Sequence, residues 1–547
     1  MSTAVDTRDP EAAGYTARRR ISALGQHIST LTERRRLTLA LITALAARCA
    51  VVTSINLVGY PLRFKDEGVY VAEAWAVPNL HALANYTYWY DHPPLGWLQM
   101  SIWFELTRGL QRWSGDTTVA GREFMVVLRV ATCVLIFLLA RRLGMRRAWS
   151  AAAVLLFVFS PLAMYYGRLV LLDNIALPWL LAAFLLALSP RRKWSAAVGS
   201  AVCFAVTVET KETLAVVAPA LLYALWQNYR PAANRRYAWV SFAVVLTMTA
   251  ALYPLYAILK NELIPGPGHV SLIQAIEWQL HARKGSGSVF DPHSDARNLV
   301  DSWLNLDTLL PIGGSLAAVA LLTVTRYRAL MLAVLLQLAT LLRTGYLPSM
   351  YIDTLLPLMA LALAGLGDTL WPRDIFTPDA LGAILESRPR RTDLATRRST
   401  TALLGTVLVV ASVLSVLPGL TDHWTNTLRY QWTADADRPE RQVVTWLATH
   451  IPHNAVLVSE GELWLDLHNA GFSGNGNVWV YKVDSDPAVT KWLGNWTRID
   501  YLALSQTTLI SESESTMPWV FKALHNADVM TTFGQNNDKV TILEVRK

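Results

Sequence analysis

Long apolar runs alternate with short charged stretches between about residues 37 and 420, and that rhythm predicts membrane-spanning helices. The candidate spans are 37–59, 124–140, 148–164, 174–189, 194–210, 212–227, 238–259, 306–323, 328–342, 350–368 and 400–418, about eleven in all. The segment 95–112 is amphipathic and short for a crossing. It carries Trp97, Trp103, Glu105 and Arg108, and reads as a helix lying flat in the interface. After about residue 420 the period changes. Alternating pieces at Ala455–Ser459, Val478–Val483, Tyr501–Leu504 and Lys539–Val545 lie between helical patterns at Pro439–His450 and Val520–Asn526. That mixture predicts a small α/β domain. The expected fold class is an all-α polytopic membrane bundle with a C-terminal extracytoplasmic α/β domain.

Composition strengthens the membrane reading. Of 547 residues, 53% are hydrophobic and only 16% are charged; the mean hydropathy is +0.28. Cys49, Cys133 and Cys203 all sit inside apolar runs, which predicts buried thiols and no disulfide framework. The net charge of +8 follows topology, and nucleic acid is not an expected partner. Arg141, Arg142, Arg146 and Arg147 fall in one loop, Arg191, Arg192 and Lys193 in another, then Arg230, Arg235 and Arg236, then Arg326 and Arg328. The loop 369–399 carries six further arginines. By the positive-inside rule these loops are cytoplasmic. Residues 1–36 then form an Arg-rich cytoplasmic tail, 37–419 the transmembrane module with outer loops 60–123 and 260–305, and 420–547 an extracytoplasmic domain of an inner or plasma membrane protein.

Ionisable groups near a membrane cost free energy, about 2.5–3.5 kcal/mol each at a helix centre and less at the interface. Several nevertheless gather in the outer loops. They are Asp66-Glu67, the stretch Asp91-His92-Pro93-Pro94-Leu95-Gly96, Arg168 with Asp173, Glu209-Thr210-Lys211-Glu212, Glu277 through Lys284, and Arg343-Thr344-Gly345-Tyr346. Solvated surface charge accounts for any one of them. It does not account for cations placed at short outer turns, against the positive-inside trend.

At these residues the sequence resembles the GT-C superfamily of membrane glycosyltransferases, in the branch of the protein O-mannosyltransferases and the lipid A aminoarabinose transferase. Asp66-Glu67 is similar to the family's DE motif, His92-Pro93-Pro94-Leu95-Gly96 to its HPPLG, and Thr210-Lys211 to its TK pair. Glu277-Trp278 through His281-Ala282-Arg283 resembles the long-loop stretch, and Gly345-Tyr346-Leu347-Pro348 through Tyr351 the Leu-Pro-x-Tyr before a span. The matches run in family order over about 60–370, although the long loop is too short for the mannosyltransferases' extra insertion.

The resemblance implies inverting transfer of a sugar from a polyprenyl-phosphate donor to an acceptor hydroxyl on a glycan, lipid or protein, within the bilayer. Phosphate departs without protonation, so one base and several cations suffice. Asp66 is the expected base. Glu67, Asp173, His92 and Tyr346 are the expected substrate and acceptor contacts. Lys211, Arg283, Arg343 and Arg168 are the expected phosphate ligands. No ligand-spaced metal cluster is visible, and no cofactor is expected. The competing readings are a lipid-linked-sugar transporter or flippase and a membrane-anchored scaffold. Against transport, the charges sit in loops and not at the midplane; against a scaffold, one span would suffice for an anchor.

Overall fold

The computed structural model describes residues 35–371 and 419–547, apart from position 473. The N-terminal tail, most of the Arg-rich loop after residue 371, and the candidate span 400–418 lie outside the described residues. The helical part begins with α1 (Arg35–Ser54), followed by α2 (Lys65–Leu80) and α3 (Leu95–Thr107) in the first long loop. The bundle continues with α4 (Thr117–Arg142), α5 (Arg147–Phe159), α6 (Leu172–Ala187), α7 (Trp194–Thr210) and α8 (Ala218–Tyr229). Helices α9 (Arg235–Leu259), α10 (Asp295–Leu306), α11 (Leu309–Leu321), α12 (Arg328–Thr340) and α13 (Ser349–Leu370) complete it.

Four of these helices, α1, α4, α9 and α13, are long and apolar enough to cross a membrane. The pair α10 and α11, bent by 103°, makes a fifth if it counts as one span. Helix length therefore supports four or five of the eleven expected crossings. The apolar runs behind α5, α6, α7 and α12 are real, but those helices have 13–17 residues, below the roughly 20 needed for a perpendicular span. Residues 212–227 do not form one helix either: a 3₁₀ turn occupies Glu212–Val217 before α8 starts. Helix α3 stays short, buries Trp97, Met100 and Phe104 on one face, and leaves Ile102 and Leu106 exposed on the other.

Packing follows the apolar stripes. Helix α6 lies against α4 and α7, α7 against α9, and α13 against α5 and α11. The core is made of small and aliphatic side chains, Ala153, Leu180, Ala201, Leu330 and Leu361 among them, all fully enclosed. Much of α9 is exposed, with Tyr237, Met248 and Leu259 outward, as expected for a surface that faces lipid. All three cysteines are buried free thiols, and the Sγ atoms of Cys49 and Cys133 lie 3.2 Å apart.

A helix at 419–433 leads into α14 (Arg438–His450) and a five-stranded sheet in the order β2-β1-β3-β5-β4. Strands β1 (Leu457–Ser459), β2 (Asn477–Trp479) and β3 (Tyr501–Ser505) are parallel, and β5 (Val540–Val545) runs antiparallel to β3 and to β4 (Ala527–Phe533). The expected strand Val478–Val483 ends at Trp479, and Val480–Ser485 is helical. Strand β4 lies where the sequence predicts no strand. It pairs with β5 alone and exposes Val529 and Met530, so it lacks the buried alternation that makes a strand readable.

Helix α2 is the joint between the two parts. Gly68 faces the C-terminal domain so closely that a Cβ there would stand 2.2 Å from the Glu462 Cα. Only glycine permits that approach.

Candidate active site

One cavity of about 290 Å³ opens at the loop end of the bundle. Helix α2 brings Asp66 to it in its first turn, the loop before α3 brings His92, and the α7–α8 turn brings Lys211 and Glu212. The long loop after α9 adds Gln279 and Arg283, and the segment between α12 and α13 adds Arg343, Tyr346 and Tyr351. Residues from five separate stretches thus converge on one space.

The carboxylate of Asp66 receives no side-chain or backbone donor among the described residues, which leaves both oxygens available to a substrate. Burial raises its pKa, against the opposing pull of Lys211, His92 and Arg283. Lys211 is fully enclosed, its Nζ 3.7 Å from Asp173 Oδ2 and 3.3 Å from His92 Nε2. Burial disfavours its charge, but Asp173, Glu212 and Asp66 outweigh that and hold it above the ordinary lysine value. The other ring nitrogen of His92 lies 3.0 Å from Glu212 Oε2, so Glu212 orients the imidazole against Lys211. Arg283 sits with its guanidinium carbon 3.4 Å over the Tyr346 ring and donates to Gln279 Oε1 at 2.8 Å. Stacking of this kind fixes the plane of the guanidinium and leaves its other donors free.

Six of the nine expected site residues line this cavity: Asp66, His92, Lys211, Arg283, Arg343 and Tyr346. Asp173, in the first turn of α6, reaches the site through Lys211. Glu67 and Arg168 are placed elsewhere. Glu67 points away from Asp66 and is sealed from solvent. Its Oε1 accepts from Arg122 Nε (3.0 Å) and the Val170 N–H (2.9 Å), and its Oε2 from Arg122 Nη2 (3.0 Å) and the Phe64 N–H (2.9 Å). A carboxylate accepts about four such bonds, so none is left for a sugar. Arg168, fully enclosed, donates to the carbonyls of Val52, Ile55 and Gln431. It satisfies the orphaned carbonyl end of α1 and does not line the cavity.

Glu212 was legible beside Lys211 in the same tetrad but carried no assigned role, because its partner lies 120 residues away. Nothing in the sequence marks Arg122 or Arg63. Arg122 also bonds Asp437 Oδ2 at 2.8 Å, and Arg63 bonds Asp116 and Asp466 at 2.8 Å each. Both arginines therefore tie the start of α2 to the C-terminal domain. Among the described residues, no group of three or more His, Cys, Asp or Glu side chains is arranged to hold a metal ion.

Residues 91–253, which include the His92 loop and the Lys211 turn, match the family model described as dolichyl-phosphate-mannose-protein mannosyltransferase. The fold is shared with ArnT from Cupriavidus metallidurans, solved bound to undecaprenyl phosphate, at 14% identity and a TM-score of 0.54, over 92% of this chain and 97% of that one. It is shared too with the Archaeoglobus fulgidus oligosaccharyltransferase AglB, solved with an inhibitory peptide and a dolichol-phosphate, at 12% identity and a TM-score of 0.51, over 91% and 74%. No curated protein sequence matches. The chain thus shares the fold of these two membrane proteins, and its segment 91–253, under a third of its length, is similar to the mannosyltransferase family.

Proposed function

We propose that this protein moves a sugar from a polyprenyl-phosphate donor to an acceptor hydroxyl at the outer membrane face, with inversion, in the synthesis of a cell-envelope glycan, glycolipid or glycoprotein. The observation that carries this reading is the free Asp66 carboxylate set against Lys211, Arg283 and Arg343 in one cavity. The acceptor oxygen attacks the anomeric carbon from the Asp66 side, and its proton passes to Asp66. The bond between that carbon and the phosphate oxygen breaks, and both its electrons leave with the phosphate. General-base assistance is worth about 10²–10⁴-fold. The three cations, with Lys211 held charged by Asp173 and Glu212, meet the negative charge as it grows. Neither a cofactor nor a divalent cation is needed for this balance.

The experiment is a transfer assay on purified protein with a panel of polyprenyl-phosphate sugars; turnover of none, by protein that binds undecaprenyl phosphate, would overturn the reading. Lys211→Ala is expected to weaken binding of radiolabelled polyprenyl-phosphate sugar at least tenfold. Unaltered binding would remove Lys211 from the phosphate site.

The acid limb of the pH–rate profile is expected above the ordinary aspartate value of about 3.9, because burial raises the Asp66 pKa and only the unprotonated carboxylate accepts a proton. Turnover then rises with pH through that limb. Lys211 lowers the Asp66 pKa, so Lys211→Met is expected to move the limb to higher pH. A limb that stays put would show that another group controls it.

A further inference from the structure

Two turns beyond Asp66, on the same side of α2, stands a second carboxyl that the proposed chemistry does not use. Glu73 follows Asp66 by seven residues, which puts it about 10 Å along the helix and on the same face. Its side chain is more than nine-tenths buried, and Oε2 has no hydrogen-bond partner. The indole Nε1 of Trp89, in the loop that carries His92, is also buried without a partner. Lys482, from the C-terminal domain, holds its Nζ 4.0 Å above the Trp89 ring and forms no ion pair among the described residues. The loop itself hangs from that domain. Asp486 accepts from the Thr87 N–H and hydroxyl at 3.0 Å each, and the Trp479 N–H donates to the Tyr86 hydroxyl at 2.9 Å.

Buried polar groups in native proteins are nearly always satisfied, and an orphan costs about 1–3 kcal/mol. Two orphans, a carboxyl oxygen and an indole N–H, sit here beside a cation whose direct contacts are aromatic rings, with the carboxylates of Asp91, Asp486 and Glu73 acting on it from further off. Burial and the nearby Asp91 carboxylate push the Glu73 carboxyl well up, and burial pushes the Lys482 ammonium down. A neutral acid both donates and accepts. An acid, an indole N–H, an ammonium and a flat aromatic face together match the hydroxyls and ring of a saccharide.

We propose that Glu73, Trp89 and Lys482 form the subsite for a saccharide-bearing acceptor, so that the C-terminal domain takes part in choosing what receives the sugar. This rests on the transferase reading. The acceptor's sugar ring packs on Trp89, its hydroxyls pair with the two orphaned groups, and its reacting hydroxyl points back along α2 to Asp66.

The full-length protein in detergent would be titrated separately with undecaprenyl phosphate and with a panel of octyl glycosides, by isothermal calorimetry. Wild type is expected to bind at least one glycoside, and saturation with undecaprenyl-phosphoryl mannose should not displace it. Glu73→Leu, Trp89→Phe and Lys482→Met should each raise the Kd of that glycoside at least tenfold and leave undecaprenyl phosphate binding within twofold. Because Glu73→Leu replaces an unsatisfied buried acid by a side chain of similar size, its melting temperature should equal or exceed that of wild type. A purely structural Glu73 would lower it.

Absence of wild-type glycoside binding across the panel would overturn the subsite, as would variants that bind normally. Displacement by undecaprenyl-phosphoryl mannose would also overturn it, by assigning the site to the donor's own sugar. Failure of wild type to bind undecaprenyl phosphate is a separate result, and would sink the transferase reading itself.

Discussion

Asp66→Asn is expected to lower the rate of sugar transfer by about 10²–10⁴-fold, the usual worth of general-base assistance, while leaving folding and donor binding intact. The substitution keeps the size and shape of the side chain and removes only its ability to take a proton. Asp66 accepts no bond from a protein donor among the described residues, so the new amide breaks no structural contact. Lys211, Arg283 and Arg343, the proposed phosphate ligands, approach the cavity from other elements, so undecaprenyl phosphate is expected to bind the variant and the wild type alike. Side-by-side transfer and binding assays decide the matter. Undiminished turnover in Asp66→Asn would remove Asp66 from the chemistry, and lost lipid binding would make it a ligand instead of a base.

Arg122→Met is expected to be the most damaging single change to stability, at about 3–5 kcal/mol. That is the usual cost of removing one partner from a buried ion pair. The guanidinium of Arg122 holds both oxygens of Glu67, one oxygen of Asp437, and the carbonyls of Leu57 and Pro61. Methionine fills the space but leaves the enclosed Glu67 carboxylate without its ion-pair partner and Asp437 with only the more distant Arg63 guanidinium. Pairing it with Glu67→Gln should recover part of the loss, because one of the stranded charges is then gone. Thermal melts of the two single variants and the double variant form the required cycle. A strictly additive outcome, or a melting point for Arg122→Met within a degree of wild type, would show that the pair stabilises nothing.

How far the sequence speaks depends on how local the determining physics is. The apolar runs announced the helices, because burial needs a stripe that repeats along the chain. Among the described residues unbroken helix length supports four or five crossings, since apolar length in sequence and helix length differ where a 3₁₀ turn at Glu212–Val217 or a bend after Leu306 intervenes. Of the site, Lys211 stood out as a cation at a short outer turn against the topological trend, and Asp66 and Arg283 as members of the motifs in the outer loops. Glu67 and Arg168 stood out beside them, yet the first is bonded by Arg122 and the second by the end of α1. Charge in a loop marks a cost that something must offset, and the offset is either a ligand or a protein partner. Only the fold distinguishes them. Glu73 shows the reverse case: nothing in the outer loop 60–123 of the sequence marks it, and its missing partner is visible only in three dimensions.

The arginine ties at the start of α2 carry a consequence for how the protein is made. Arg122 reaches Asp437 across 315 residues of sequence, and Arg63 reaches Asp466 across 403. The helix that presents Asp66 is synthesised early, but the carboxylates that neutralise its anchoring arginines are synthesised late, after every spanning helix described above. During translation Arg63 and Arg122 must wait, charged and only partly matched, at the mouth of an unfinished bundle. Helix α2 gains its final setting when the last domain folds onto it, and a nascent chain that stops short of that domain leaves Arg63 without Asp466 and Arg122 without Asp437.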